Sequence, residues 1–541
     1  MATGLTPPRI VILGGGYAGL YACRALARQA RRGRVHLTVV SRENFHVWHG
    51  FIGEMLTGRI QPSQILSPAR RIFRDARLHI GVVDRVDTAA RVVHTHRELD
   101  GQAIAIPYDR LIVCVGSRQS TESFHGLAEH GFALKTWDDC FRLRNHIIRM
   151  YELASITTDP DERRALLTFF VAGGGFSGAE VAGELADFAT QLAGRDFPEI
   201  RRDEVRVVLA HPQETILPEL YGARVDERQS RQYPGLVTYA EQHLRSLGVE
   251  VRTGCRIRAV SPTLVELQDG ATIPTRTVIS AVGTVPQALT VASGFPVAPN
   301  GRMLVDTALR VPGLPGVYAA GDCAAVAHPK GGYVPTTAWW GMMAGACAAR
   351  NVMRELDGRE PRPFRKAALG QAVSIGRRTA VGELKGIALR GWVAWLMWRV
   401  VLFWYFPFSD RKIRLLVDWI IWPFLGRDIV EMSTGDADDF EMHRYRFQPG
   451  ETIIRQGQQG HTAWLITEGT CVTYTDTDGD RMADERRMLG PGAWVGHDYP
   501  GQISPYHLEA HTVVRAVAVR VDQLEELRGL LRLHVEGGAH G

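Results

Sequence analysis

Two glycine loops of one design, Gly14-x-Gly16-x-x-Gly19 and Gly173-x-Gly175-x-x-Gly178, restrict the folds open to this chain more than any other feature. Each follows an apolar run of strand character, RIVIL (9–13) or LLTFFVA (166–172), and each leads straight into a helix-like stretch. A further strand-like run completes each unit, HLTVV (36–40) or VRVVLA (205–210). Strand, glycine turn, helix and strand together let the backbone approach a pyrophosphate and place its charge at a helix N-terminus. A glycine turn alone says little. In this frame, twice over, it predicts an α/β chain with two Rossmann-type dinucleotide-binding domains. Each unit has another glycine-ended strand, YDRLIVCVGS (108–117) with Gly116 and TVISAVGT (277–284) with Gly283, and GVYAAGDCA (316–324) closes on Gly321-Asp322. Two dinucleotide units and a late Gly-Asp fit a flavoprotein that keeps FAD on one loop and admits NADH or NADPH on the other.

The ends of the second strands bear on which dinucleotide each unit takes. A carboxylate there binds ribose hydroxyls and repels a 2′-phosphate. The first unit ends in Ser41-Arg42-Glu43, so either Glu43 or a serine reaches the adenosine ribose. The second ends in His211, with Arg206 and Arg256 elsewhere, and lacks that repulsion. NADH and NADPH therefore both remain open as donor.

Other classes are set aside by composition. Across 541 residues the hydrophobic and charged fractions, 45% and 22%, are those of an ordinary globular protein, and a net charge of +5 does not mark a nucleic-acid binder. The seven cysteines are scattered without a CxxC, which argues against a zinc site, a redox dithiol and a disulfide scaffold. No metal site is expected. The N-terminus lacks a secretory pattern, so a reducing, cytoplasmic setting is expected.

In order and spacing, GGGYAG, RENFHVWHGFIGEMLTGRI (42–60), GGGFSGAEVAGEL, ILPEL (216–220), GVYAAGDCA and GWVAWLMWRVVLFWYFPF (391–408) resemble the type II NADH dehydrogenases. These are single-subunit, FAD-dependent NADH:quinone oxidoreductases, and the likeness spans roughly residues 9–430. It implies a flavin reached by nicotinamide on one side and by a membrane quinone on the other. It implies FAD contacts at Val83 and at Asp322, which would bond the ribityl chain. It also implies a helix over 335–356, capped by Thr336 or Thr337, whose positive end faces the flavin.

Glu180 and Glu184 share one face of the helix behind the second loop. Glu184 matches the family glutamate at the junction of nicotinamide, flavin and quinone and is the expected catalytic group. Glu180 reads either as an ordinary helix carboxylate or as a cofactor contact. The chain departs from the family at AWWGMMAG, where the usual quinone-site glutamines fall on Trp339 and on Met343 or Ala344. Tryptophan can stack on a quinone and donate one hydrogen bond, or these side chains can close the site. Lys385 is a further candidate lining group.

The expected domains are a first FAD segment (1–135), an NAD(P)H domain (136–290), a second FAD segment (291–384), a helical hairpin (385–432) and a terminal antiparallel β-roll (436–541). The hairpin is rich in Trp, Phe and Leu, but Arg399, Pro407 and Asp418 interrupt it. Residues 391–426 are therefore expected to lie in a lipid headgroup layer rather than cross it, at the cytoplasmic face of the cell membrane. A soluble dimer interface is the alternative, so a homodimer is open. The terminal segment resembles the cyclic nucleotide-binding domain through PGETIIRQGQQG, yet His497 follows Gly496 and no arginine occurs in DYPGQISPYHLEA. Without a guanidinium for the cyclic phosphate, weak binding or none is expected, and the ligand of this domain is left unassigned. The expected activity is NAD(P)H:quinone oxidoreduction without proton pumping. The alternatives are a reductase with a non-quinone acceptor and a flavin-based redox sensor.

Overall fold

The computed structural model describes residues 6–521 except 99–100, 121–122, 222–232, 329–330, 367, 369, 422–428, 432–442, 458, 461, 476–485 and 498–501. Two five-stranded parallel sheets form its frame. The first runs, in spatial order, through 317–319, 110–113, 9–13, 36–41 and 77–80. The second runs through 131–132, 277–280, 168–172, 206–210 and 249–252. Both are covered on each face, which is why strands such as RIVIL and TFFVA read as continuous apolar runs rather than alternating ones. Ile10, Ile12, Leu13 and Ile112 are fully buried in the first core, and Phe169, Val171 and Leu209 in the second.

In each unit the loop helix starts at the end of the first strand. Tyr17–Arg31 follows the first loop and Phe176–Leu192 the second. The long helix Ala338–Leu356 lies along Tyr17–Arg31 so closely that a Cβ on Gly345 would overlap the Ala18 carbonyl. Its N-cap is Thr337 rather than Thr336, and the threonine side chain makes no capping bond, so the first N–H groups stay open.

The antiparallel sheet 370–374/380–384/387–390 packs with the second unit, whose core Val373, Ile375 and Val381 join. The hairpin consists of Gly391–Tyr405 and Ser409–Ile421, turning at Pro407. Among the described residues no helix is long and apolar enough to cross a membrane. The β-roll folds two four-stranded antiparallel sheets around Phe447, Ile454, Ile466, Leu508 and Val514. It docks on the second unit through the His130 ring, whose Nε2 lies 3.0 Å from the Arg446 amide nitrogen. The polar stretch STGDADD (433–439) and the helix-like sequence DQLEELRGLLRLHV (522–535) after the β-roll lie outside the described residues, as do 422–426 of the segment expected at the headgroup layer.

Candidate functional site

At the first loop, Gly14 adopts φ +105°, and a Cβ there would overlap the Cys114 carbonyl. Gly19 passes under the Gly14 carbonyl with no room for a side chain, while Gly16, the helix N-cap, faces open space. The His46 ring fastens the turn, with Nδ1 donating to the Gly15 carbonyl at 3.1 Å; burial pushes its pKa down to about 4, so it does this as a neutral ring. Ser41 is buried and spends its hydroxyl on the Glu43 carbonyl at 2.9 Å, which leaves Glu43, paired with Arg42, as the outward carboxylate at the strand end.

Farther along the cleft, Asp322 accepts from the Ser117 hydroxyl at 2.9 Å and from the Lys135 ammonium at 3.3 Å. Gly116 and Gly321 turn beside it, and Val83 packs against the first core. Arg302 is almost wholly buried, yet among the described residues its Nε and Nη2 have no hydrogen-bond partner, while Nη1 donates to the Val334 carbonyl. Buried guanidinium donors without an acceptor are costly unless something anionic meets them. A glycine cradle with open space at Gly16 and this orphaned cation fit the pyrophosphate of FAD.

The second loop repeats the backbone but not the surroundings. Gly173 has φ +109°, and a Cβ there would overlap the Ala281 carbonyl. Gly178 passes under the Gly173 carbonyl, and the last strand of the unit ends in a turn at Gly283. The helix N-terminus, however, already has a carboxylate: the Phe176 amide donates to Glu219 Oε1 at 3.0 Å, and a Cβ on Gly175 would stand 2.8 Å from that oxygen. Burial raises the Glu219 pKa. His211 Nδ1 accepts from the Gly174 amide at 3.1 Å, so the remaining proton sits on Nε2, which is buried with no hydrogen-bond partner among the described residues. Arg206 is not available for a 2′-phosphate because Glu250 holds it at 2.7 Å.

Beyond the loop, Glu180 and Glu184 diverge although one helical turn separates them. Glu184 is buried, 3.3 Å from Arg59 and within reach of the Thr57 hydroxyl. Arg59 also pairs with Asp187, which Arg377 approaches from the other side. Glu180 has no such partner among the described residues. Burial, then the charges of Glu184 and Glu54, push its pKa up to about 8. Both carboxylates press on Gly53, where an added Cβ would lie 3.2–3.4 Å from them.

That glycine belongs to Ile52–Leu56, which the hairpin covers. Leu402 closes on Gly50, and Arg399 reaches across to Glu54 with two bonds of 2.5 and 2.8 Å. Trp419 and Trp395 flank the Arg399 guanidinium at 3.9 and 4.7 Å. Arg399 is therefore an internal ion-pair residue. The outward side of the hairpin is apolar, with Trp392, Val393, Val400, Trp404, Ile413 and Ile420 all exposed.

Met343 lies where the hairpin cluster meets the first core, Trp339 packs on the first core beside it, and Trp339 Nε1 is buried with no hydrogen-bond partner among the described residues. The neighbouring Trp340 is the buried member of the pair and lines a cleft with Asp322, Gly341 and Ala344. Lys385 stands exposed on the turn after 380–384, and no recorded contact joins it to Trp339 or Met343. Sequence reasoning missed Lys135, Arg302, Arg59 and Glu219. ILPEL was the only visible trace of the last, and its carboxylate reaches the loop from 43 positions away.

Comparison with known proteins follows the same outline. The pyridine nucleotide-disulphide oxidoreductase family matches residues 8–341, and the cyclic nucleotide-binding domain matches 444–531. The chain is 30% identical over 457 residues to the type II NADH:quinone oxidoreductase Ndh of Mycobacterium tuberculosis, covering 81% of this chain and 93% of that protein. It is 25% identical to the demethylphylloquinone reductase NdbB of Synechocystis, covering 77% and 96%. Among solved structures, NDH2 of Plasmodium falciparum in complex with NADH superposes with a TM-score of 0.70 at 18% identity, over 78% of this chain and 99% of that one.

Proposed function

Because the chain belongs to the pyridine nucleotide-disulphide oxidoreductase family and, within it, to the type II NADH:quinone oxidoreductases, we propose that it oxidises NADH or NADPH at the second unit and reduces a membrane quinone beside the hairpin. FAD, when bound, supplies the group that accepts hydride and passes on the two electrons. The first loop and Arg302 would hold its pyrophosphate, Asp322 its ribityl hydroxyls, and Glu43 its adenosine ribose. Lys135 and Ser117 keep the Asp322 carboxylate oriented. The open N-terminus of Ala338–Leu356 supplies a positive dipole end in the same cleft.

A quinone takes up two electrons and two protons. Hydride accounts for both electrons and one proton, so a second proton must come through the protein. Glu180 is suited to hold it, being protonated at neutral pH and free of a hydrogen-bond partner among the described residues. This carboxyl is the observation that carries the reading. Glu184, paired with Arg59, would shape the local field that keeps the Glu180 proton in place. Trp339 and Met343 form an apolar wall suited to a quinone ring. The outward apolar side of the hairpin would rest in the headgroup layer of the cytoplasmic leaflet, giving peripheral attachment.

Anaerobic stopped-flow tests this. NADH or NADPH should bleach the flavin, and a short-chain quinone should then restore it promptly. In Glu180→Gln the bleaching should persist while reoxidation slows. Prompt bleaching with no response to quinone in the unaltered protein would instead favour a non-quinone acceptor, with Trp339 and its neighbours closing the slot.

A further inference from the structure

On the half of helix Ala338–Leu356 remote from the cleft, Cys347, Arg350, Asn351 and Arg354 share one face, and the segment Arg362–Lys366 folds back over it. Between them lies a cavity of about 380 Å³, lined by Arg350, Arg354, Arg362, Arg365, Lys366 and Phe364 among others. Its size falls in the range of small-molecule sites, about 300–1,000 Å³.

The walls are built rather than incidental. Buried Asn351 donates to the Ala308 and Arg362 carbonyls at 2.8 and 2.9 Å and accepts from the Arg362 amide at 2.9 Å. The Phe364 amide is fixed on the Thr307 carbonyl at 2.7 Å. Five cationic side chains thus face one hollow with no carboxylate among the residues that line it. Arg354 Nε is used on the Glu360 carbonyl; among the described residues the other four make no ion pair. The carboxylates at the helix end are engaged elsewhere, Glu355 by Arg110 and Asp357 by Arg34. Compensation of a helix C-terminal dipole calls for cations in the last turn, which Arg354 supplies. It does not account for Arg350 a turn earlier or for three more on the returning segment.

We propose that this cavity is a binding site for a phosphorylated ligand carrying several negative charges, its phosphates held by the guanidinium forks and its body resting on Phe364 and Pro363. Phe364 packs against Trp340 and Trp340 against Trp339, with centroids 6.1 and 5.1 Å apart, so occupancy has a packed route to the acceptor side. The phosphate could be offered by a soluble oligophosphate or by an anionic lipid headgroup.

Titration calorimetry of the FAD-loaded full chain with tripolyphosphate, NAD⁺ saturating the second loop, separates this site from the dinucleotide loops. One equivalent should bind, weakening with salt. The double substitution Arg350→Glu, Arg365→Glu should weaken it at least about tenfold while leaving flavin absorbance unchanged. If tripolyphosphate does not bind but the same variant loses the preference for phosphatidate-containing over pure phosphatidylcholine vesicles, the phosphate is a headgroup and the site stands. No tripolyphosphate binding and no change in vesicle preference would overturn the proposal, as would binding that the double variant retains.

Discussion

The two glycine loops are one backbone device set in two different surroundings. Gly14 and Gly173 have φ within a few degrees of each other, and in both units the third glycine passes under the carbonyl of the first. At the first loop Gly16 faces open space, and farther along the cleft Arg302, within the field of Asp322, keeps two donors without a hydrogen-bond partner among the described residues. At the second, Glu219 already sits on the helix N-terminus and His211 holds the Gly174 amide. An open anion site with an orphaned cation favours an occupant that stays. A site whose donors are already satisfied from within favours one that comes and goes, because each arrival displaces an internal acceptor. The same local sequence therefore serves retention in one unit and exchange in the other, and the difference is made by residues distant in the chain. Two positions past the third glycine the units diverge again, with Tyr21 in the first helix and Glu180 in the second.

The sharpest way to break this comparison is to block each loop in turn. Gly19→Val and Gly178→Val each force a side chain into the carbonyl of the preceding turn. The first should yield protein without flavin absorbance, and hence no activity at all. The second should purify yellow but fail to bleach with NADH. A yellow Gly19→Val protein would remove the first loop from FAD binding.

Next in size is the effect of Glu180→Gln, which should lower turnover with quinone about 10²-fold or more. In the unaltered protein turnover should fall as pH rises through about 8 and the carboxyl loses its proton; the variant should lack that limb. Stability of the unaltered protein should fall with rising pH as well, but here the substitution is protective. A carboxyl raised from 4.5 to about 8 holds a proton in the folded state that the unfolded state has lost. Its contribution is full below the unfolded value and disappears as pH rises through the folded one. Above pH 8 the glutamine variant should therefore be the more stable, by on the order of 2–4 kcal/mol in denaturant titration. Lower stability there would show that Glu180 is paired rather than isolated.

These residues also mark how far sequence reached. The strands, both loops and Gly321-Asp322 were legible because their information is local: a period, a turn, a helix start. The departure at Trp339 was legible as a substitution against a family pattern. What distinguishes Glu180 from Glu184 was not. Arg59 meets Glu184 across 125 positions and Arg399 meets Glu54 across 345, and no local pattern announces either pairing. Arg399 shows the same limit from the other side. An arginine among tryptophans reads as an interruption of an apolar run until the fold supplies Glu54 and turns it inward.

A third test concerns donor choice. His211→Glu places a carboxylate where the ring now offers a neutral Nε2 donor. It should cut kcat/KM for NADPH about tenfold relative to NADH, since the 2′-phosphate then meets a like charge. An unchanged ratio would place the ribose away from His211.

The smallest expected effect bears most directly on exchange. In Glu219→Gln the side chain keeps its shape and can still accept from the Phe176 amide, but its negative charge is removed. If the carboxylate competes with the dinucleotide pyrophosphate, its loss should lower KM for NADH about threefold with kcat unchanged, and the gain should shrink as salt screens the repulsion. If Glu219 only caps the helix, the weaker neutral bond should loosen the loop and KM should rise. The two outcomes differ in sign, so even a small change decides between a site that holds its own anion in reserve and a helix that merely needs an end.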